Sequence, residues 1–496
     1  MNADAHVAVI GGGIAGLAAA YFLRARHDGA GGPGSGVRVT VYEGSPRIGG
    51  KLAVSEIAGI PVDEGAEAML ARRPEGTALA AAVGLEDQLV TPGTTSASIW
   101  TRGRLRPMPA GQFMGVPADL TALARSGVIS PRGLARAALD RVLPASGLDG
   151  DVSVARAVGS RFGREVVDRL VEPLLGGVYA GRADQLSFQA TMPALAAVFL
   201  ADGHQHAGRG HAGRGLAGAV RSLLPKAPPP DGKRPPVFTT LAGGLGTLPP
   251  AVAAASGAEV KTHSTVRELR RTPDGWRLTV GSAHDPQQVD ADAVVLALPA
   301  RPASRLLAAE VPAAAAALGE IEYASIAIVT LAYRGSAFPS PPSGSGYLVP
   351  AVDGRTVKAV TYSTVKWPHL TAGGHDATAV RLSVGRIGEE RLLQRADEDL
   401  ARAAAAELAE AAGVREPPAE TRVSRWGGAL PQYTVGHAGR VARIRAAVAA
   451  APGLAVCGAA YDGLGIPACI ATAQAAAARI GEYLARRPEN VARGGQ

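Results

Sequence analysis

Apolar positions along this chain follow three patterns. At four places they form short apolar-rich runs that stop at a turn: Val7 to Ile10 before Gly11, Val37 to Tyr42 before Glu43, Ala291 to Leu298 before Pro299, and Leu454 to Val456 before Cys457-Gly458. Runs of this kind predict strands covered on both faces, as in a parallel sheet. Between 320 and 385 apolar and polar residues alternate, in Ile326 to Leu331, Val357 to Tyr362 and Ala379 to Val384. A period of two predicts an antiparallel sheet with one face toward a core. From about 115 to 200, Ala, Leu and Val recur at helical spacing, with breaks expected at Pro131, Gly147 and Gly176. Further helices are expected over Leu17 to Arg26, Pro74 to Val83, 395–412 and Cys469 to Ala485. A strand-like segment is expected over Ala53 to Val62, and a hairpin over 95–108 turning at Arg102-Gly103-Arg104.

These patterns predict an α/β chain in which a Rossmann-type domain is discontinuous, built from 1–70, 238–300 and 440–490. An antiparallel-sheet domain takes 71–110 and 301–439, and a helical subdomain takes 111–201. Residues 202–237, rich in Gly, Pro, Arg and His, are expected to be a flexible loop. His204, His206 and His211 fall there without a Cys partner or a carboxylate frame, so no metal site is expected.

The first apolar run leads into Gly11-Gly12-Gly13-Ile14-Ala15-Gly16. In a chain with 63 glycines the pattern alone is weak; here a strand precedes it, a helix follows, and Glu43 ends the next strand. Gly11 suits the tight turn, Gly13 lets backbone approach a pyrophosphate, and Gly16 lets helix and strand pack closely. The helix N-terminus faces the anion. Glu43 stands further on than the usual spacing of about 20 residues, and the insert Asp28 to Gly36 accounts for the excess. A second glycine turn follows in Arg47-Ile48-Gly49-Gly50-Lys51, and then Asp63-Glu64-Gly65-Ala66-Glu67-Ala68. This succession resembles the amine-oxidase-like FAD superfamily, with Glu43 on the ribose hydroxyls and the Gly49-Gly50 amides near phosphate.

Hydrophobic content of 47% supports a large core, and the net charge of +8 comes from scattered Arg rather than a basic block. With 4% aromatics this argues against nucleic acid and toward an acidic small molecule or an anionic surface. Cys457 and Cys469 lack metal-ligand spacing and read as free thiols in a reducing cytoplasm. Neither a signal peptide nor a run of 18 apolar residues is found, so a cytoplasmic location is expected; peripheral contact with the inner membrane face stays open.

Further segments narrow the family. Glu172-Pro173-Leu174-Leu175-Gly176-Gly177-Val178-Tyr179-Ala180-Gly181, Leu186-Ser187-Phe188, Arg425 to His437 and Tyr461 to Ile470 together resemble the flavin-dependent porphyrinogen oxidases of haem biosynthesis. The resemblance implies non-covalent FAD held along Gly11, Gly12, Gly13, Ile14, Ala15 and Gly16. Glu43, Gly44, Gly50, Lys51, Gly65, Ala66, Glu67 and Ala68 would add contacts. Val266 would meet the adenine through its backbone, and Ala459, Leu464, Gly465 and Ile466 would lie near the isoalloxazine. No protein nucleophile or other catalytic side chain is expected, because the flavin N5 accepts hydride.

The implied substrate is a reduced tetrapyrrole that loses six electrons in two-electron steps, with oxygen as acceptor. Its body is apolar and its propionates anionic, which calls for a wide apolar cavity with basic residues at the rim. Arg73, or failing it Arg72, is the candidate for a propionate, and Gly177 with Val178 for the wall. His437 reads equally as core or as support for the site. Positive charge and the lack of a spanning segment favour coproporphyrinogen III over protoporphyrinogen IX. A flavin amine oxidase or carotenoid desaturase is the rival reading. Partners expected are the porphyrinogen, oxygen and, as an open possibility, the next haem-pathway enzyme.

Overall fold

The computed structural model describes residues 5–28, 37–144, 148, 150–206, 215–224, 236–372, 374 and 376–487, with the side chains of 26–28 and 202–206 left out. The expected insert at 28–36 and His211 fall almost wholly outside this set.

Five parallel strands form the central sheet, in the order Glu259–Lys261, Val37–Tyr42, Ala5–Ile10, Ala293–Leu296, Leu454–Val456. The strands come from distant parts of the chain; the central ones, Ala5–Ile10 and Ala293–Leu296, are covered on both faces and read as apolar runs, while the edge strand Glu259–Lys261 is largely exposed. Val7 and Val9 point into a core with the first helix (Ile14–Asp28) and the closing helix (Ile466–Arg486). Ala8 and Ile10 point the other way, into a core with the antiparallel sheet Val266–Thr272, Gly275–Gly281, Pro286–Ala291 and the helix His437–Ala449.

A second sheet has seven strands, in the order Glu420–Pro431, Tyr323–Arg334, Ala377–Val384, Val357–Tyr362, Gly346–Leu348, Ser98–Thr101, Arg104–Pro107. Neighbours are antiparallel except Gly346–Leu348 beside Ser98–Thr101. One face, with Val329, Leu331, Val360, Tyr362 and Leu382, is buried against the helix Asp397–Ala412. On the other face Leu348, Ala359, Thr361 and Ser383 are only half-buried. Alternation therefore leaves one surface of this sheet open toward the helical subdomain.

Several expectations need correction. The helix Gly215–Leu223 stands inside the stretch expected to be a loop, and the helix Pro193–His206 runs into its start. Leu216, Ala219 and Val220 are buried with Phe162, Leu170 and Phe188 in the helical core. Both carboxylate oxygens of Asp140 accept the amides that open this helix, from Leu216 at 3.0 Å and Ala217 at 2.9 Å. Asp140 is also paired with buried Arg161 at 2.6 Å. Glycine- and arginine-rich flanks hid the short apolar stretch.

Gly176 does not break a helix; it lies within Glu172–Tyr179, which ends at Ala180 with φ +51°. The segment Ala53 to Val62 is a hairpin, Val54–Ile57 and Ile60–Asp63, turning at Ala58 and Gly59, both at positive φ. The expected sheet domain also loses pieces to the central sheet. Leu79 and Ala80 of the helix Pro74–Ala82 pack with the closing helix, and the helices Ala300–Leu307 and Pro312–Gly319 cover the other face. Helical periodicity identifies an apolar face but not the sheet that covers it.

Candidate functional site

The glycine turn after the first strand divides by space. A Cβ on Gly11, where φ is +110°, would lie 2.5 Å from the Ala297 carbonyl oxygen, and one on Gly16 would run into the Gly11 carbonyl. A Cβ on Gly13 would meet nothing within 4 Å. Two glycines therefore serve packing, and the third faces open space. That is the pattern expected of a turn shaped around a pyrophosphate, and the donor set fits a dinucleotide.

Glu43 ties this turn to its neighbours. Its Oε2 accepts the Gly12 amide at 2.7 Å and its Oε1 the Ser45 amide at 2.8 Å. The Glu43 carbonyl accepts the Ser264 amide at 2.8 Å, which brings the start of the Val266–Thr272 strand alongside. Gly44 lies against Thr265. The second glycine turn continues the line: the Gly49 amide donates to the Gly12 carbonyl at 2.8 Å, and a Cβ on Gly50 would lie 3.4 Å from the Gly13 Cα. Next along it, a Cβ on Gly65 would strike the Lys51 carbonyl and lie 3.4 Å from the Trp426 ring. Gly13, Gly44, Gly50, Ala66 and Gly465 keep accessible surface, while Ile14, Lys51, Ala68, Val266, Ala459 and Leu464 are half-buried. Ala15 and Ile466 are buried in the core and bear on the site through their backbone alone.

Lys51 has no hydrogen bond or ion pair among the described residues, and burial lowers the pKa of its ammonium. Cys469, at the start of the closing helix, lies within electrostatic reach of Lys51 and Arg73; burial nevertheless pushes its thiol up to about 11. Glu67 is committed elsewhere. Its carboxylate pairs with both Lys366 and Arg381. Burial alone would raise that carboxyl, but the two cations outweigh it and hold it down to about 2. Arg381 also donates to the Gly65 carbonyl at 2.5 Å, and Trp426 Nε1 donates to the Glu64 carbonyl at 2.8 Å. Only the backbone of the Gly65-Ala66-Glu67-Ala68 turn thus remains to face a ligand through Glu67. Asp63 accepts the Leu245 and Gly246 amides at 3.2 Å each, and burial raises its carboxyl to about 6.

The loop Gly458 to Gly465 joins the last strand of the central sheet to the closing helix. Tyr433 OH donates to the Ala459 carbonyl at 2.7 Å and accepts the Gly463 amide at 2.8 Å. His437 stacks on the Tyr433 ring at 3.8 Å, and its Nε2 lies 3.1 Å from the Tyr461 carbonyl. Burial lowers the His437 imidazole to about 4, so it is neutral near pH 7 and Nε2 carries the proton donated to that carbonyl. His437 is therefore a buried residue that braces Tyr433 and the Tyr461 backbone.

On the far side, Gly177 and Val178 are exposed, and a Cβ on Gly177 would lie 3.7 Å from Leu348 on the open sheet face. Arg73 precedes the helix Pro74–Ala82 and pairs with Glu75 at 2.6 Å, while Arg72 is exposed without an ion pair among the described residues. Sequence reasoning gave no role to Tyr433, Trp426, Lys366 or Arg381. Tyr433 and Trp426 lay in quoted motifs, but their partners sit 26 and 362 positions away. No group of three metal-ligating side chains occurs among the described residues, and no described helix is long and apolar enough to cross a membrane.

The α/β architecture and the glycine turns are those of a nucleotide-binding fold, and the profile of the flavin containing amine oxidoreductases matches residues 14–481. The chain belongs to that family, and a flavin is its cofactor. Within the family it is 37% identical over 478 residues to a coproporphyrinogen III oxidase of Mycobacterium tuberculosis (strain ATCC 25618 / H37Rv), covering 96% of this chain and 97% of that one. It is 32% identical to a coproporphyrinogen III oxidase of Bacillus subtilis (strain 168), covering 97% and 98%. Among solved structures, one from Exiguobacterium sp. 255-15, named only provisionally as a protoporphyrinogen oxidase, superposes with a TM-score of 0.82 at 29% identity, covering 98% of this chain and all of that one.

Proposed function

We propose that this protein is an FAD-dependent oxidase that converts coproporphyrinogen III to coproporphyrin III. The carrying observation is the end-to-end likeness to coproporphyrinogen III oxidases at 37% and 32% identity. The site geometry supports it: the two glycine turns meet at Gly13 and Gly50, and Gly177 stands across from Leu348 on the open, mixed-polarity sheet face. Gly13 and Gly50 face the pyrophosphate, Gly12 ties their turns to Glu43, Glu43 takes the adenosine ribose, and Lys51 stands at the flavin end. Non-covalent binding agrees with a Cys469 thiol that is buried and protonated at neutral pH.

The flavin supplies two-electron oxidation, three rounds of which remove six electrons and six protons from the macrocycle while three O2 become three H2O2. The chain contributes binding, orientation and exclusion of water. Half-buried Leu348, Ala359 and Thr361 offer apolar and hydroxyl surface for the macrocycle, and Arg73 at the rim offers its guanidinium to a carboxylate.

Purified protein is to be heated and the released cofactor chromatographed; FAD is the expected species. Porphyrin fluorescence then gives specificity constants for coproporphyrinogen III and protoporphyrinogen IX at matched salt. Equal or greater efficiency with protoporphyrinogen IX overturns the substrate, and absence of FAD overturns the whole reading.

A further inference from the structure

Tyr433 is the point where three parts of the molecule meet. It belongs to the segment linking the seven-stranded sheet's edge strand Glu420–Pro431 to the helix His437–Ala449. Its backbone carbonyl accepts the Ser187 amide at 2.7 Å, and its ring packs on Tyr179 at 5.6 Å, both in the helical subdomain. Its hydroxyl both accepts from Gly463 and donates to Ala459 in the loop before the closing helix. The residue is 1% exposed. Gln432 beside it donates to the Tyr179 carbonyl at 2.8 Å, which ends the same helix that presents Gly177 and Val178.

The loop it grips has little regular structure to hold it. Gly458 and Gly463 sit at φ +120° and +146°. Side chains fix its backbone: Thr472 Oγ1 accepts the Gly458 amide at 2.9 Å, Tyr433 takes Ala459 and Gly463, and His437 takes Tyr461. Tyr433 thus joins the wall helix to this loop through a rigid aromatic ring carrying one hydroxyl, backed by the stacked His437. The Ala459 carbonyl and the Gly463 amide, both half-buried, would each lose this partner without that hydroxyl, so the loop would have to shift to find another.

We propose that Tyr433 is a positioning residue that sets the spacing between the wall helix Glu172–Tyr179 and the flavin-facing loop Ala459 to Ile466, and so places substrate against cofactor. The proposal rests on the reading that FAD lies along that loop. A tyrosine that only filled core would be replaceable by phenylalanine at the cost of stability alone. A positioning tyrosine acts through its hydroxyl on the reaction geometry, where a displacement of an ångström costs rate.

Tyr433→Phe keeps the ring and its stacking and removes only the hydroxyl. The measurements are FAD content, visible flavin spectrum, flavin midpoint potential, Tm, and the kcat and KM for coproporphyrinogen III. The expected result is full FAD content, an altered flavin spectrum or potential, and a kcat lowered roughly ten-fold or more with KM changed by less than about three-fold. Tyr333→Phe, which deletes a hydroxyl in the core beneath the sheet, is expected to leave spectrum and kcat unchanged. If Tyr433→Phe does not fold, His437→Phe serves, because it keeps an aromatic stack and removes the bond to the Tyr461 carbonyl; it should shift the spectrum and lower kcat in the same direction. A lowered Tm with unchanged spectrum, potential and kcat in the variant that folds overturns the proposal. Wild-type protein with FAD and an unaffected variant removes this proposal alone; wild-type protein without FAD removes it together with the functional reading.

Discussion

Glu43 reaches back across its own strand end to Gly12, whose amide it accepts at 2.7 Å. That single bond fixes the glycine turn relative to the acid that follows the second strand, before any ligand arrives. It explains why the insert at 28–36 is tolerated: the turn and the acid are joined in space, so the length of chain between them does not set their spacing.

Gly13 and Gly16 should respond oppositely to a side chain. Gly13→Val places its side chain in open space, so the apoprotein should keep its Tm within about 2 °C, while FAD binding is lost because the methyls occupy the pyrophosphate position. Gly16→Ala drives a Cβ into the Gly11 carbonyl and should lower stability directly, by roughly 1–3 kcal/mol. Thermal unfolding of the two apoproteins, with FAD titration, separates them; two equal losses of Tm would contradict this division.

Arg73→Ala should raise the KM for coproporphyrinogen III by roughly ten-fold or more, with FAD content unchanged, if its guanidinium leaves Glu75 for a carboxylate. An unchanged KM transfers the role to exposed Arg72, where Arg72→Ala is the next comparison.

The helix Gly215–Leu223 makes a deletion of 202–235 destructive rather than silent. Removing it would strip Leu216 and Val220 from the helical core and leave Asp140 without two of its amide donors. A smaller change, Asp140→Ala, should cost about 3–5 kcal/mol, because Arg161 is left as a buried charge without its carboxylate. The denaturation midpoint in guanidinium should fall accordingly, and a midpoint within error of wild type would show that the pair is dispensable.

His437 gives a pH dependence with a definite sign. Its folded pKa is depressed to about 4 from 6.5, with burial as the largest cause. The unfolded chain therefore binds a proton that the native protein refuses between those values. The native state has full stability from this group above about pH 6.5 and loses on the order of 3 kcal/mol as pH falls from there through 4. His437→Phe should flatten that part of the curve of unfolding free energy against pH; an equal slope in the variant would remove His437 as its source.

How much was legible in the chain follows the range of the interactions concerned. Gly11 to Gly16, Glu43 and the apolar runs are local signals: turn geometry, helix start and strand end all lie within a few residues, and the sheet they specify forms as expected. The Asp140-capped helix was hidden because its cap comes from 76 positions away and its apolar stretch is short between glycine-rich flanks. Glu67 reads locally as part of a glycine turn, and only the packed chain shows that Lys366 and Arg381, some 300 positions on, claim its carboxylate. The hydroxyl of Tyr433 likewise finds its partners only when the closing loop folds back beside it. The sequence by itself determined a flavoprotein fold and its glycine turns, because backbone chemistry at glycines is written locally. Which side chains are spent on holding those turns together was decided only by the tertiary structure, since a buried charge or hydroxyl bonds with whatever the packed chain brings to it.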